Sequence, residues 1–285
     1  WKGEEVLWLF YSESTRCLRH IRGQPPRWAP GGDIRAVRSV DGVSWSEYRP
    51  VATQYGNDAP KVIANMLHVH SASDTWVLPF WRERPGVHAD CKAVDQTLSG
   101  ALVSSDQGET WEGFGELRTP LQARYEIIEG TVAETSSGQL LQLFRSKQGA
   151  LFRSTSSDDG VTWSTPEKTG IPNPNSKASL VKMSTGELAL AFNDATTNRR
   201  HLKVGISRDD GRTFTRMVEL EEGRQAFHFH YPTIYQVGCK LVVAYSYMQS
   251  QRKNAAGNYV RLYGPHEGGI RVAVLDMVPA TSGDG

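Results

Sequence analysis

The sequence predicts an all-β chain folded as a six-bladed β-propeller, and three observations carry that prediction. A short turn motif recurs and ends on Trp45, Trp111, Trp163 and Phe214, spaced 66, 52 and 51 residues apart. Between its copies run short strands bounded by Gly, Asp, Asn or Pro. No long amphipathic helix is legible, and interruptions such as Ile171-Pro-Asn-Pro-Asn175 would break one. Regularly spaced short strands mark a sandwich or a propeller, and a period near 50 residues selects the propeller, one four-stranded blade per repeat. Six blades at about 50 residues each need about 300 residues. The 285 residues are therefore expected to form one domain, 1–285. Its first blade is expected to be incomplete, or closed by a C-terminal strand around Ile270–Leu275.

In chain order, the first copy of the motif is the shortest, Ser39-Val-Asp41-Gly42-Val-Ser44-Trp45. Three full copies follow: Ser104-Ser-Asp106-Gln-Gly108-Glu-Thr110-Trp111, Ser156-Ser-Asp158-Asp-Gly160-Val-Thr162-Trp163 and Ser207-Arg-Asp209-Asp-Gly211-Arg-Thr213-Phe214. Ser and Asp oxygens can accept from backbone N–H groups in a tight turn, and Gly supplies the positive φ that closes it. The aromatic folds back over the turn. These residues are structural, and their turns are expected on the outer, hairpin side of each blade. The strands between them include Gly138-Gln-Leu-Leu-Gln-Leu-Phe-Arg145, Gly186-Glu-Leu-Ala-Leu-Ala-Phe-Asn193 and Lys240-Leu-Val-Val-Ala-Tyr-Ser-Tyr247.

Composition narrows the function. With 39% hydrophobic and 22% charged residues the chain can build a core and is not a disordered tail. Lys+Arg total 32 against 31 Asp+Glu, a net charge of +1 that argues against nucleic acid as partner. Apolar stretches such as Val6–Tyr11 are too short to span a bilayer. Cys17, Cys91 and Cys239 are far apart, which excludes a dense disulfide framework and a cysteine zinc site. His228 and His230 form a His-x-His pair, but no third ligand stands at a motif spacing, so no metal and no cofactor is expected. The sequence opens at Trp1 without an initiator Met, as a processed chain or a fragment would.

The recurring motif resembles the Asp-box, or BNR, repeat of sialidases and their relatives, and the resemblance runs along nearly the whole chain. Four further stretches fall in the order seen in that family. Glu129 and, sixteen residues on, Arg145 resemble the catalytic Glu and a substrate-carboxylate arginine. Arg199 in Asn198-Arg-Arg-His matches the arginine that precedes the next Asp-box strand, ahead of its neighbour Arg200. Tyr231 in His230-Tyr-Pro-Thr-Ile234 resembles the catalytic Tyr, and Asp33 in Pro30-Gly-Gly-Asp-Ile34 stands where sialidases place their acid/base Asp. The opening strand that carries a third arginine has no match, since Arg16, Arg19, Arg22 and Arg27 lie in what reads as a loop. That departure, with Pro60-Lys-Val-Ile-Ala-Asn65 and Pro172-Asn-Pro-Asn-Ser-Lys177, resembles a divergent, sialidase-like branch.

The resemblance implies a glycoside hydrolase of the exo-α-sialidase type, releasing a terminal sugar that bears a carboxylate. That carboxylate sits beside the anomeric carbon and would repel an anionic Asp or Glu, whereas a neutral phenol can approach, so sialidases depart from the usual carboxylate pair. Tyr231 would be the nucleophile, Glu129 the base that takes its proton, and Asp33 the acid that protonates the leaving oxygen. Arg145 and Arg199 would grip the substrate carboxylate in planar forks. Lys177, His230 and Arg82, the last within Phe80-Trp-Arg-Glu-Arg84, complete the expected substrate contacts. Each residue alone also has a bland reading: Arg145 as a surface cation, Arg199 as a hairpin tip, Tyr231 as core packing, Asp33 as a turn residue. The ordered set favours function. Two other readings stand beside it, a non-catalytic carbohydrate- or protein-binding propeller and an enzyme acting on another uronate-containing glycan.

Overall fold

The computed structural model describes residues 6–14, 18–20, 22–28, 31–53, 59–82, 97–119, 126–223, 226–256, 258–261 and 267–277. Cys17, Cys91, Arg16, Glu83 and Arg84 lie outside them, as do the side chains of Arg19 and Arg27. Every regular element among the described residues is a strand. The chain divides into two compact units, Trp1–Gly130 with Thr155–Pro166, and Thr131–Ser154 with Glu167–Gly285.

In the first unit β1 (Leu7–Glu13) leads through a small hairpin, β2 (Leu18–Arg19) and β3 (Arg27–Trp28), to β4 (Asp33–Ser39) and β5 (Arg49–Ala52). Strands β1, β4 and β5 form a three-stranded antiparallel sheet. The arginine-bearing stretch read as a loop therefore contains the β2–β3 hairpin. A four-stranded sheet follows from β6 (His68–Val69), β7 (Trp76–Arg82), β8 (Leu98–Ser104) and β9 (Glu112–Leu117), hydrogen-bonded in chain order. Ile34, Ala36, Val51, Leu78, Phe80 and Leu102 form the buried cluster of this unit. Trp8, Phe10, Trp76 and Trp111 extend it as a chain of ring contacts, with centroids 5.1 to 6.2 Å apart.

The next sheet runs β10 (Ile127–Glu134), β11 (Leu140–Ser146), β12 (Ala150–Ser156) and β13 (Glu167–Pro172). It is followed by β14 (Ser179–Lys182), β15 (Leu188–Asn193), β16 (Leu202–Ser207) and β17 (Thr215–Glu221). The last sheet is β18 (Phe227–Val237), β19 (Lys240–Gln249) and β22 (Gly268–Asp276), with the hairpin β20 (Gln251–Lys253) and β21 (Tyr259–Arg261) inserted before β22. Inner strands such as Leu-Ala-Leu-Ala-Phe-Asn of β15 are buried along their whole length because both faces are covered by apolar residues. One cluster in the second unit joins Leu141, Leu143, Leu151, Leu180, Leu188, Leu190, Phe192 and Phe214, and another joins Ala189, Ala191, Leu202, Val204, Phe229, Ile234 and Val243. The fourth strands, β13 and β17, are largely exposed.

One expectation is corrected, and one alternative is decided. Five blade sheets, not six, are present among the described residues, because the inserted hairpins β2–β3 and β20–β21 take chain length that a 50-residue period assigns to a blade. Of the two alternatives for the first blade, its sheet is the incomplete, three-stranded one, and the strand around Ile270–Leu275 completes the last sheet: β22 pairs with β19, from Lys240 opposite Asp276 to Met248 opposite Gly268.

The four box turns lie between the last two strands of their sheets, and three share one hydrogen-bond scheme. In the second, Ser104 Oγ donates to Asp106 Oδ1 at 2.7 Å and accepts from the Gly108 amide at 2.8 Å. The Thr110 amide and hydroxyl donate to the same carboxylate at 2.9 and 2.5 Å. The third and fourth boxes repeat this scheme around Asp158 and Asp209. The shortened first box keeps Ser39 and Asp41 and bonds the Val43 and Ser44 amides.

Candidate active site

The second unit gathers five of the residues singled out in the sequence. Arg145 stands near the end of β11, Lys177 in the loop before β14, Arg199 in the turn before β16, and His230 with Tyr231 on β18. Arg145 Nη1 donates to the Tyr231 hydroxyl at 3.1 Å, and its Nε donates to Asn175 Oδ1 at 2.9 Å. Arg199 Nη2 donates to the backbone carbonyl of the same Asn175. The guanidinium carbons of Arg145 and Arg199 lie 6.0 and 5.5 Å from the centre of the Tyr231 ring, within cation–π range. One asparagine thus spaces two planar cations, and both face one phenol. The backbone also ties this group together: the Arg199 carbonyl accepts from the Phe229 amide at 2.7 Å, and Asn193 Nδ2 donates to the Phe229 carbonyl at 2.8 Å.

His230 meets the Tyr231 ring edge-on with centroids 5.0 Å apart. Burial, with Arg199, His228 and Arg145 nearby, pulls its pKa down to about 4, so the imidazole is neutral at neutral pH. Lys177 is only 4% exposed. Its ammonium donates to the Pro232 carbonyl at 2.5 Å and to the Thr233 hydroxyl at 3.1 Å.

The first unit holds the two carboxylates and Arg82. Asp33, 5% exposed, opens β4 opposite Glu13 of β1. Arg35 pairs with Glu13 and brings Nη2 within 3.7 Å of Asp33 Oδ2. Just before Asp33, Gly32 exchanges two backbone hydrogen bonds with Lys61, at 3.0 and 3.1 Å. A Cβ at Gly32 would overlap the Glu13 carbonyl, so only glycine fits there. Glu129 of β10 is 6% exposed. Its carbonyl and that of Gly130 accept from Asn65 Nδ2 at 3.1 and 2.9 Å. Arg82 ends β7 and, with Lys61, Trp111 and Thr53, lines a cavity of about 420 Å³. Phe80 lies 5.5 Å from the Arg82 guanidinium and 5.7 Å from the Lys61 ammonium.

Backbone conformation sets two of these residues apart. Glu129 and Tyr231 have φ of 52° and 55°, inside strands. Among the described residues Arg216 of β17 is the one other non-glycine strand residue in that region. A bulky side chain in the left-handed region costs on the order of 1–3 kcal/mol and persists where its surroundings over-determine it. At Tyr231 the cause is a bulge: His230 pairs with Ser246 and Thr233 with Ala244, so two residues of β18 face one of β19. A bulge re-aims the side chains beside it.

Asn175, Asn65 and Lys61 carry as much of this geometry as the expected residues, yet the sequence did not single them out as site residues. Asn175 and Lys61 each follow a proline, in Pro172-Asn-Pro-Asn and Pro60-Lys, whereas Asn65 carries no such signal. Among the described residues no group of three or more His, Cys, Asp or Glu is placed to hold a metal ion.

Comparison with known proteins places the chain. The BNR repeat-like domain matches residues 1–243. The chain belongs to this family. No curated protein matches it. Among solved structures, a leech intramolecular trans-sialidase is 18% identical with a TM-score of 0.60, over 79% of this chain and 34% of that one. A Hadza microbial sialidase is 21% identical with a TM-score of 0.61, over 84% and 47%. A protein of unknown function from Dyadobacter fermentans is 16% identical with a TM-score of 0.63, over 96% and 74%. This BNR-repeat chain thus has a β-propeller arrangement, and it spans about a third of the length of the leech enzyme.

Proposed function

We propose that this BNR-repeat protein is a sialidase-like glycoside hydrolase that releases a terminal, carboxylate-bearing sugar from a glycan. The observation that carries the reading is the Arg145 to Tyr231 hydroxyl contact, with Arg199 over the same ring. Two guanidinium groups held by one asparagine match a carboxylate, and a phenol beside them can approach an anomeric carbon that an anion could not.

In this mechanism Glu129 takes the Tyr231 hydroxyl proton as the phenol oxygen bonds to the anomeric carbon. Asp33 delivers its proton to the leaving oxygen as the glycosidic bond breaks. In the second half Asp33 removes a proton from water, water oxygen replaces the phenol oxygen at the anomeric carbon, and Glu129 returns the proton to Tyr231. The positive charge of Arg145 and Arg199 opposes the negative charge that develops on the phenol oxygen. His230, neutral at working pH, offers one donor and one acceptor to substrate hydroxyls or amides, and Arg82 is a further proposed substrate contact.

The test is turnover of an aryl sialoside, and of an aryl uronoside beside it, by the protein and by Tyr231→Phe. The expected result is release of the aryl group by the parent and loss of more than a thousandfold in the variant, with an unchanged melting temperature. Turnover of the uronoside alone keeps the enzyme and moves the substrate to another acidic glycan. Glycan binding without turnover of either replaces the hydrolase with a binding propeller.

A further inference from the structure

Two buried polar side chains do the same job at two places in this chain. The candidate nucleophile Tyr231 and the candidate base Glu129 each sit in a strand with a left-handed φ, at 55° and 52°. At each bend a side chain from more than fifty residues away in sequence donates to a backbone carbonyl at or just after it. Lys177 reaches the Pro232 carbonyl and the Thr233 hydroxyl, and Asn65 reaches the carbonyls of Glu129 and Gly130. Lys177 is 4% exposed, and a buried ammonium persists where oxygens surround it. Asn65 is likewise buried.

We infer that Lys177 and Asn65 are positioning residues for the reaction: each pins the left-handed strand bend that aims one reacting side chain, Tyr231 and Glu129 respectively. The inference rests on the hydrolase reading and adds to it a role for two residues that need not touch substrate. It also gives Lys177 a different task from the substrate contact expected from its sequence context. A substrate-binding cation acts on ground-state affinity. A residue that aims the nucleophile acts on the chemical step, where a misplacement of about 1 Å can lower the rate roughly a hundredfold.

The experiment is steady-state kinetics on an aryl sialoside, or on the acidic glycoside the parent turns over, for the parent, Lys177→Met and Asn65→Ala. Crystal structures of both variants accompany it. In both variants kcat is expected to fall roughly a hundredfold, with KM within about twofold of the parent because Arg145 and Arg199 keep Asn175. The crystal structures are expected to show Tyr231 or Glu129 out of the left-handed region. If Lys177→Met does not fold, Asn65→Ala decides, read by the same split of kcat from KM. A Lys177→Met variant with raised KM and parental kcat makes Lys177 a substrate contact and overturns its positioning role. Parental kcat in both variants overturns the inference while leaving the hydrolase intact. Absence of turnover in the parent, by contrast, defeats the hydrolase reading and with it any role in aiming catalysis.

Discussion

Asn175 is a single residue on which two cations depend. It stands in the left-handed region at φ 58°, which Asn tolerates better than most residues, and offers its side-chain oxygen to Arg145 and its carbonyl to Arg199. Removing the side chain leaves the Arg199 contact available and takes the Nε hydrogen bond from Arg145. A hydrogen bond to a charged group contributes about 1.5–3 kcal/mol, so Asn175→Ala is expected to raise KM for a carboxylate-bearing substrate roughly ten- to a hundredfold, with a smaller effect on kcat. Equal loss with a neutral glycoside would show that Asn175 does not act through the carboxylate clamp. His230 carries a second expectation. Its native pKa of about 4 lies below the ordinary 6.5 because of burial and the neighbouring Arg199, His228 and Arg145. Between those values the unfolded chain binds a proton that the folded one does not, so stability falls as pH drops through the window from 6.5 to 4. His230→Gln should remove that component, seen as a smaller difference in urea midpoint between pH 7 and pH 5 than in the parent.

At the scale of elements, the inner strands fix the molecule. Phe192 ends the apolar run of β15, is fully buried, and packs with Phe214, Leu141 and Leu190. Phe192→Ala is expected to cost about 3–5 kcal/mol by deleting a large buried side chain and leaving a cavity, measured by chemical denaturation. A cost below about 1 kcal/mol would mean the two sheets do not interlock through this ring. These strands and the box turns were legible in the sequence because their cause is local. The Ser, Asp, Gly and Thr of a box bond one another within four residues. The blade count was not legible, since the β2–β3 and β20–β21 hairpins consume chain without adding a blade sheet. The arginines and the tyrosine of the second unit were singled out through the order of their motifs, and the structure brings their side chains together. Asn65 was not singled out, and Lys177 was expected only as a substrate contact, because their partners lie 64 and 55 residues along the chain, a pairing no local pattern encodes.

Over the whole molecule, charge is nearly balanced at +1, so its pH response is governed by where particular carboxylates sit and little by net repulsion. Four of them are the box aspartates, one in each of four sheets. The Thr110 hydroxyl, the Thr110 amide and the Ser104 hydroxyl hold the Asp106 carboxyl down at about 2. At Asp209 burial pushes the other way, yet the Thr213 and Ser207 bonds prevail and leave it at about 2. Asp41 is lowered by the Val43 and Ser44 amides, and Asp158 is lowered by Thr162 and Ser156 against the opposing effect of burial. For a carboxylate with a depressed native pKa, the stabilisation is fully present above the unfolded value of 3.8 and is lost as pH falls through the native value. Because the four boxes share this sign, folding should weaken cooperatively between pH 4 and pH 2, with the unfolded chain taking up on the order of one extra proton per box. The measurement is the thermal midpoint at half-unit steps from pH 5 to pH 2, for the parent and for Asp106→Asn. The variant is expected to start lower at pH 5, because an amide cannot accept from the Thr110 amide and hydroxyl as a carboxylate does, and to lose less on acidification. Parallel curves for the two proteins would mean the Asp106 turn contributes nothing to acid sensitivity and that its carboxylate titrates alike in the folded and unfolded chain.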